Sequence, residues 1–233
     1  MSTPSGEKLS VRETFVREIE NRILSGKLKP GDRLPTSREM CAQMGVSLTI
    51  VNAGVAELQN KGFVEVKPRH GVYVADYREN GNLSMLLALL RFNVGRLNAE
   101  DIRSFCETRL ALDPVVAELA VQRAGEQEIA DWESILVQLR AEREIERFCV
   151  LTTQFIDKLY HMSGNSILAM LYHSTLVPQQ RMYQIFIEKN GTAPVLQNAE
   201  EIFAHVRERD AAAASRCMQE TMRLPLKGDM AIV

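Results

Sequence analysis

Leu34-Pro35-Thr36-Ser37-Arg38-Glu39-Met40-Cys41-Ala42-Gln43-Met44-Gly45-Val46-Ser47-Leu48-Thr49-Ile50-Val51 is the stretch on which the reading of this chain turns. Thr36 and Glu39, three residues apart, have the spacing of a capping box, so a helix is expected over about 36–44. Gly45 stops it, and Ser47 is a good cap for a second helix that runs to about Lys61. Two short helices joined by a tight glycine-containing turn make a helix-turn-helix.

Upstream, Val11, Phe15, Ile19 and Ile23 recur every four residues and mark an amphipathic helix ending near Gly26. Lys29-Pro30-Gly31-Asp32 reads as a turn. Downstream, Gly62 closes the third helix. Phe63–Val66 and Val72–Val74 then flank the polar turn Lys67-Pro68-Arg69-His70-Gly71, which is a β-hairpin pattern. Three helices and a hairpin, a winged helix-turn-helix, account for residues 10–75.

The charged stretch 76–82 reads as a linker. Beyond it every periodic segment is helical, with helices expected near 83–92, 99–124, 126–144, 148–161, 166–188, 193–207 and 211–222. The expected fold is therefore mainly α: a winged head over 10–75, then an antiparallel bundle of about seven helices over 83–233.

Of 233 residues, 45% are hydrophobic and 25% charged, as in ordinary soluble proteins. No apolar run approaches the ~20 residues of a membrane span. Residues 1–9 have no apolar segment, so a disordered tail is expected rather than a secretory signal, and a cytoplasmic protein with it. Cys41, Cys106, Cys149 and Cys217 match no metal spacing and read as free thiols. Charge is unevenly spread: twelve basic against nine acidic residues through Arg78 (net +3), sixteen against twenty-one beyond it (net −5). A basic head on an acidic body fits a module that meets a polyanion. No glycine-rich phosphate loop or nucleophile elbow is present, so no enzyme is expected.

The head resembles the GntR superfamily of winged-helix transcription regulators. The resemblance lies in Gly26-x-Leu28-x-Pro30-Gly31-Asp32-x-Leu34-Pro35-x-x-Arg38-Glu39-Met40, Met44-Gly45-Val46-Ser47, Leu58-x-x-Lys61-Gly62-Phe63 and His70-Gly71-Val72-Tyr73-Val74. The remainder is similar to the FadR group, with its FCD-type effector domain, through Glu107-x-Arg109 and Met162-Ser163-Gly164-Asn165. Asn82-Leu83-Ser84-Met85-Leu86 and Leu224-Pro225-x-x-Gly228-Asp229-Met230-Ala231-Ile232 resemble the acyl-thioester-responsive branch of that group. The resemblance implies a homodimer on a palindromic double-stranded DNA operator and no membrane. The alternative is a ligand-binding dimer whose head has weakened or lost DNA binding.

A recognition helix sets its first residues against base edges in the major groove. Here those include Ser47, Thr49 and Asn52, of which Asn52 can pair with adenine. By resemblance Arg38 approaches the DNA, and Arg69, His70 and Gly71 form a wing tip that reaches the minor groove. Plainer roles stay open: Ser47 as a cap, Arg38 as a solvated arginine, His70 as a turn residue. Leu48 and Asn52 stand where the family usually has arginine, so a different operator or lower affinity is expected.

Many relatives hold a divalent metal in the bundle through an Asp and three His. The corresponding positions here are Thr152, Ile156, Ala199 and Thr221, so no metal and no cofactor is expected. The expected effector is instead a small anionic organic acid or a fatty acyl thioester. Arg109, Arg181, Tyr172 and Asn165 are the candidates to receive it. For Arg109 the competing reading is an ion pair with Glu107 or another helix. For Tyr160, Tyr172 and Tyr183 it is core filling.

Overall fold

The computed structural model describes residues 9–76, 81–93 and 99–233. The tail expected over 1–9, apart from Leu9, and positions 77–80 of the expected linker lie outside the described residues. The chain forms two compact units, residues 1–92 and 93–233.

In the first unit, α1 (Val11–Leu24) starts at a capping box between Ser10 and Glu13 and buries Phe15, Val16, Ile19 and Ile23. Helix α2 (Ser37–Met44) starts at the expected box. The Thr36 hydroxyl accepts from the Glu39 N–H, and the Glu39 carboxylate accepts from the Thr36 N–H at 2.7 Å. Gly45 ends α2 at φ +65°, a left-handed position where Cβ is costly. Ser47 then caps α3 (Leu48–Asn60), and the two helices bend by 110°, within the range of a helix-turn-helix.

Strands β1 (Val64–Lys67) and β2 (Gly71–Val74) pair antiparallel, Val64 opposite Val74 and Lys67 opposite Gly71. The segment before α2 adds a third edge. Leu34 N–H donates to the Val72 carbonyl, Val74 N–H to that of Asp32, and Gly31 N–H to that of Val74. The wing is thus fastened on its second side.

Helix α4 (Leu83–Asn93) begins at Asn82, whose side chain accepts from the Met85 N–H at 3.0 Å. Met85 and Ala88 are buried in the same core as Phe15, Val51, Leu58 and Phe63. Packing therefore groups this helix with the head, whereas the expected boundary falls at 82/83. The reason is tertiary: Met85 and Ala88 of α4 are covered by head residues.

The second unit contains α5 (Ala99–Arg123), α6 (Glu126–Ala141), α7 (Ile145–Met162), α8 (Ser166–His173), α9 (Leu176–Asn190), α10 (Ala193–Arg207) and α11 (Ala211–Arg223). Its core centres on Trp132, stacked on Phe155 at 4.4 Å with its indole N–H donating to the Phe155 carbonyl. The single helix expected over 166–188 is two helices. Ser174 and Thr175 donate their hydroxyls to the carbonyls of Met170 and Tyr172, and Pro178 has no N–H to continue the ladder. The seven helices described in this unit are therefore not the expected seven.

Two ties close the bundle. Arg209 donates to the carbonyls of Val121 and Ala124 and pairs with Glu126 at 2.7 Å. After α11, Lys189 and Asn190 donate to the carbonyls of Ala231 and Met230, folding residues 224–233 back onto the bundle. No single helix among the described residues is long and apolar enough to cross a membrane.

Candidate nucleic-acid interface and interior cavity

Helix α3 has two faces. Val51, Gly54, Val55 and Leu58 are buried, with Leu58 and Val51 fully so. Leu48, Thr49, Asn52, Ala53 and Ala56 face solvent, Leu48 at 51% exposure. That outer face has no cation. Gly54 lets α1 approach: a Cβ there would sit 2.3 Å from the Phe15 ring. The Ser47 hydroxyl accepts from the Ile50 N–H at 3.4 Å, so its capping role is real but weak.

Arg38, one residue into α2, is exposed and makes no ion pair among the described residues. Arg69 and His70 are exposed at the wing tip, with Arg69 at φ +65°, unusual outside glycine. Gly71 has φ +117°, and a Cβ on it would meet the Arg33 Nε at 2.8 Å. The guanidinium of Arg33 therefore lies on the wing backbone. Arg33 is a candidate that sequence reading missed. The signal was available, since the Gly31–Leu34 stretch directly precedes the helix-turn-helix, but the pairing of Arg33 with Tyr73 is not local.

In the second unit a narrow cavity of about 60 Å³ is lined by α5, α7, α9, α10, α11 and the segment after α11. Its wall is nearly all apolar, with Phe155, Met182, Phe186, Ile202, Met218 and Ile232 among the lining side chains. Cys106, Arg109, Thr152, Tyr183, Asn198 and Thr221 are its polar members. The Thr152 and Thr221 hydroxyls donate to carbonyls of their own helices, Phe148 and Cys217. Burial pushes the Cys106 thiol up to about 11, so it is an inert wall atom.

Arg109 is 4% exposed and its guanidinium is 2.6 Å from the carboxylate of Asp113, one turn on and fully buried. Glu107 is exposed and takes no part, because residues two apart on a helix do not face each other. Nη1 of Arg109 donates to Gln179 and to the Tyr183 hydroxyl, both at 3.2 Å. Its Nε has no hydrogen-bond partner, and the close contact to Asp113 is poorly aligned for one. Burial works against the charged guanidinium, but Asp113, with Tyr183, Tyr172 and Tyr160, outweighs it and holds the group protonated. Tyr160 donates to Asp113 at 2.5 Å. Burial, then Asp113, pushes the Tyr160 hydroxyl well above its ordinary range.

Of the four expected effector residues only Arg109 lines the cavity. Tyr172 is buried behind it, stacked on Tyr160 at 4.4 Å with the guanidinium over its ring. Asn165 caps α8, accepting from the N–H groups of Ile167 and Leu168. Arg181 is half-buried at the surface with Gln184 and Glu188. Tyr183, two residues away and on another face of α9, is the one that reaches Arg109.

Two family models match the chain. That of the bacterial regulatory proteins of the gntR family matches residues 11–74, and that of the FCD domain matches residues 104–224. The chain belongs to the GntR family, with an FCD domain. The HTH-type transcriptional regulator Mce2R of Mycobacterium tuberculosis (strain CDC 1551 / Oshkosh) is 32% identical over 166 residues, 71% of this chain and 68% of that protein. The galactonate operon transcriptional repressor of Escherichia coli (strain K12) is 23% identical, covering 89% of this chain and 92% of its own. In fold the chain is similar to Lar of Listeria monocytogenes, with a TM-score of 0.59 at 13% identity over 93% of this chain and 95% of that one. As a GntR-family chain this protein is a transcription regulator and not an enzyme.

Thr152, Ile156, Ala199 and Thr221, which the family resemblance sets at metal-ligand positions, all line the cavity. None offers an imidazole or a carboxylate. Among the described residues no group of three or more His, Cys, Asp and Glu is placed to hold a metal ion.

Proposed function

We propose that this GntR-family regulator binds a palindromic DNA operator as a homodimer and that a small molecule in the FCD cavity changes its affinity for DNA. The observation that carries the ligand half is the cavity itself, apolar and lined by a buried arginine whose Nε–H lacks a partner. A buried donor without an acceptor is costly, and a ligand acceptor would relieve it. On the DNA side, Arg38, Arg69 and His70 are exposed and suit phosphate contact, and Thr49 and Asn52, also exposed, suit base reading. One head makes few contacts, and a dimer on a two-fold site doubles them.

The test is sedimentation of the protein with an operator obtained by selection from random duplexes. Two chains per palindrome and weak binding to an isolated half-site are expected. A single chain bound to the full operator refutes the dimer. The absence of cations on the outer face of α3 favours one rival, a ligand-binding dimer with weakened DNA binding. That rival is tested by salt titration on random duplex DNA, where a flat response means that no phosphates are engaged.

A further inference from the structure

We infer that the molecule taken up by the cavity is neutral, a small and largely apolar compound carrying one carbonyl or similar hydrogen-bond acceptor. This rests on the reading of the cavity as the effector site and names the chemistry it selects.

Three observations lead there. The only charged side chain on the wall is Arg109, and Asp113 already meets that charge at 2.6 Å. A carboxylate entering would find no uncompensated cation and would sit as a buried charge among apolar side chains, which is strongly unfavourable. Second, the two wall groups of that cluster, Arg109 and Tyr183, have donor capacity to spare. Tyr183 accepts from Arg109 and so keeps its own proton to give, with no acceptor for it among the described residues. Arg109 Nε–H also lacks an acceptor. Either donor suits a carbonyl oxygen. Third, the space is small. About 60 Å³ corresponds to roughly four to six waters at ~10–15 Å³ each, which suits a compound of a few heavy atoms. Asn198 adds a further amide on the wall for a second polar atom of the ligand.

The experiment uses three probes of six heavy atoms: 2-pentanone, butanoate, and the alkene 2-methyl-1-pentene, which has the ketone's shape without its oxygen. Met182, Met218 and Met222 line the cavity, so methyl-labelled methionine reports binding by NMR in the full-length protein at pH 7.5. The ketone is expected to shift these methyls with a Kd at least ten-fold below that of butanoate. Tyr183→Phe should weaken the ketone by about three- to ten-fold, the worth of one hydrogen bond, and leave the alkene unchanged. Alkene binding also verifies that the variant's cavity is intact. Butanoate binding as tightly as the ketone overturns the inference. So does Tyr183→Phe weakening ketone and alkene alike, or a failure of all three probes to shift the methionines. Operator binding by the same sample separates the two readings. If DNA binding responds to some other, charged metabolite, the proposed function stands and this inference falls.

Discussion

Replacing Arg109 with methionine isolates the buried pair. Methionine fills similar volume, so the main change is that Asp113, fully buried, loses its cation and keeps only the Tyr160 hydroxyl as a donor. Breaking a buried pair from one side costs ~3–5 kcal/mol, because an uncompensated charge is left inside. For a unit of this size ~1 kcal/mol moves the midpoint by roughly 2–4 °C, so a fall of roughly 6–20 °C is expected. In Arg109→Met with Asp113→Asn the stranded charge is gone and Tyr160 still has an amide oxygen to bond. The double variant should therefore recover at least ~2 kcal/mol relative to the single one. Urea unfolding followed by tryptophan fluorescence is the assay. Trp132 is the only tryptophan of the chain and is buried in the FCD unit, so its signal reports that unit. A single variant within ~1 kcal/mol of wild type, or strictly additive costs, would refute the claim that the pair is interdependent.

Other expectations follow from the head and the thiols. Gly54→Ala should destabilise the head by ~1–3 kcal/mol in thermal melts, since the clash with Phe15 outweighs the ~1 kcal/mol that alanine gains in helix propensity. A variant more stable than wild type would show that α1 yields easily. Arg38→Ala should weaken specific and random DNA alike and lower the salt slope by about one unit, whereas Asn52→Ala should cost ~1–3 kcal/mol on the operator only. Anisotropy at several salt concentrations distinguishes them, and operator binding unchanged by Asn52→Ala would remove its base-reading role. Cys106, Cys149 and Cys217, pushed up to about 11 first by burial, are almost wholly protonated at pH 8. Mass spectrometry after iodoacetamide should find them unmodified in the folded protein, and rapid labelling of any of them would contradict their burial.

The head was legible because its signals are local. The Thr36–Glu39 box, Gly45 and the Ser47 cap each act within four residues, and each sits where the sequence puts it. The break between α8 and α9 is also local, and Pro178 signalled it, but the apolar period from 166 to 188 masked that signal. The missing N–H of Pro178 and the hydroxyl bonds of Ser174 and Thr175 together decide it. The partner of Arg109 was within reach, since Asp113 lies four residues on and Glu107 only two. The choice of Tyr183 over Arg181 and Tyr172 was not, because all three have helical spacing and only the packing of α8 and α9 against α5 selects among them. Likewise nothing local says that α4 turns Met85 and Ala88 into the head core.

The fold of the last ten residues bears on how the protein is handled at the bench. Pro225 and Ile232 form part of the cavity wall, and Lys189 and Asn190 pin the intervening carbonyls. An affinity tag fused after Val233 would begin two residues beyond a wall side chain and pull on the segment that holds it. Purification handles therefore belong at the other end of the chain, and binding data from C-terminally tagged protein should be compared with cleaved material.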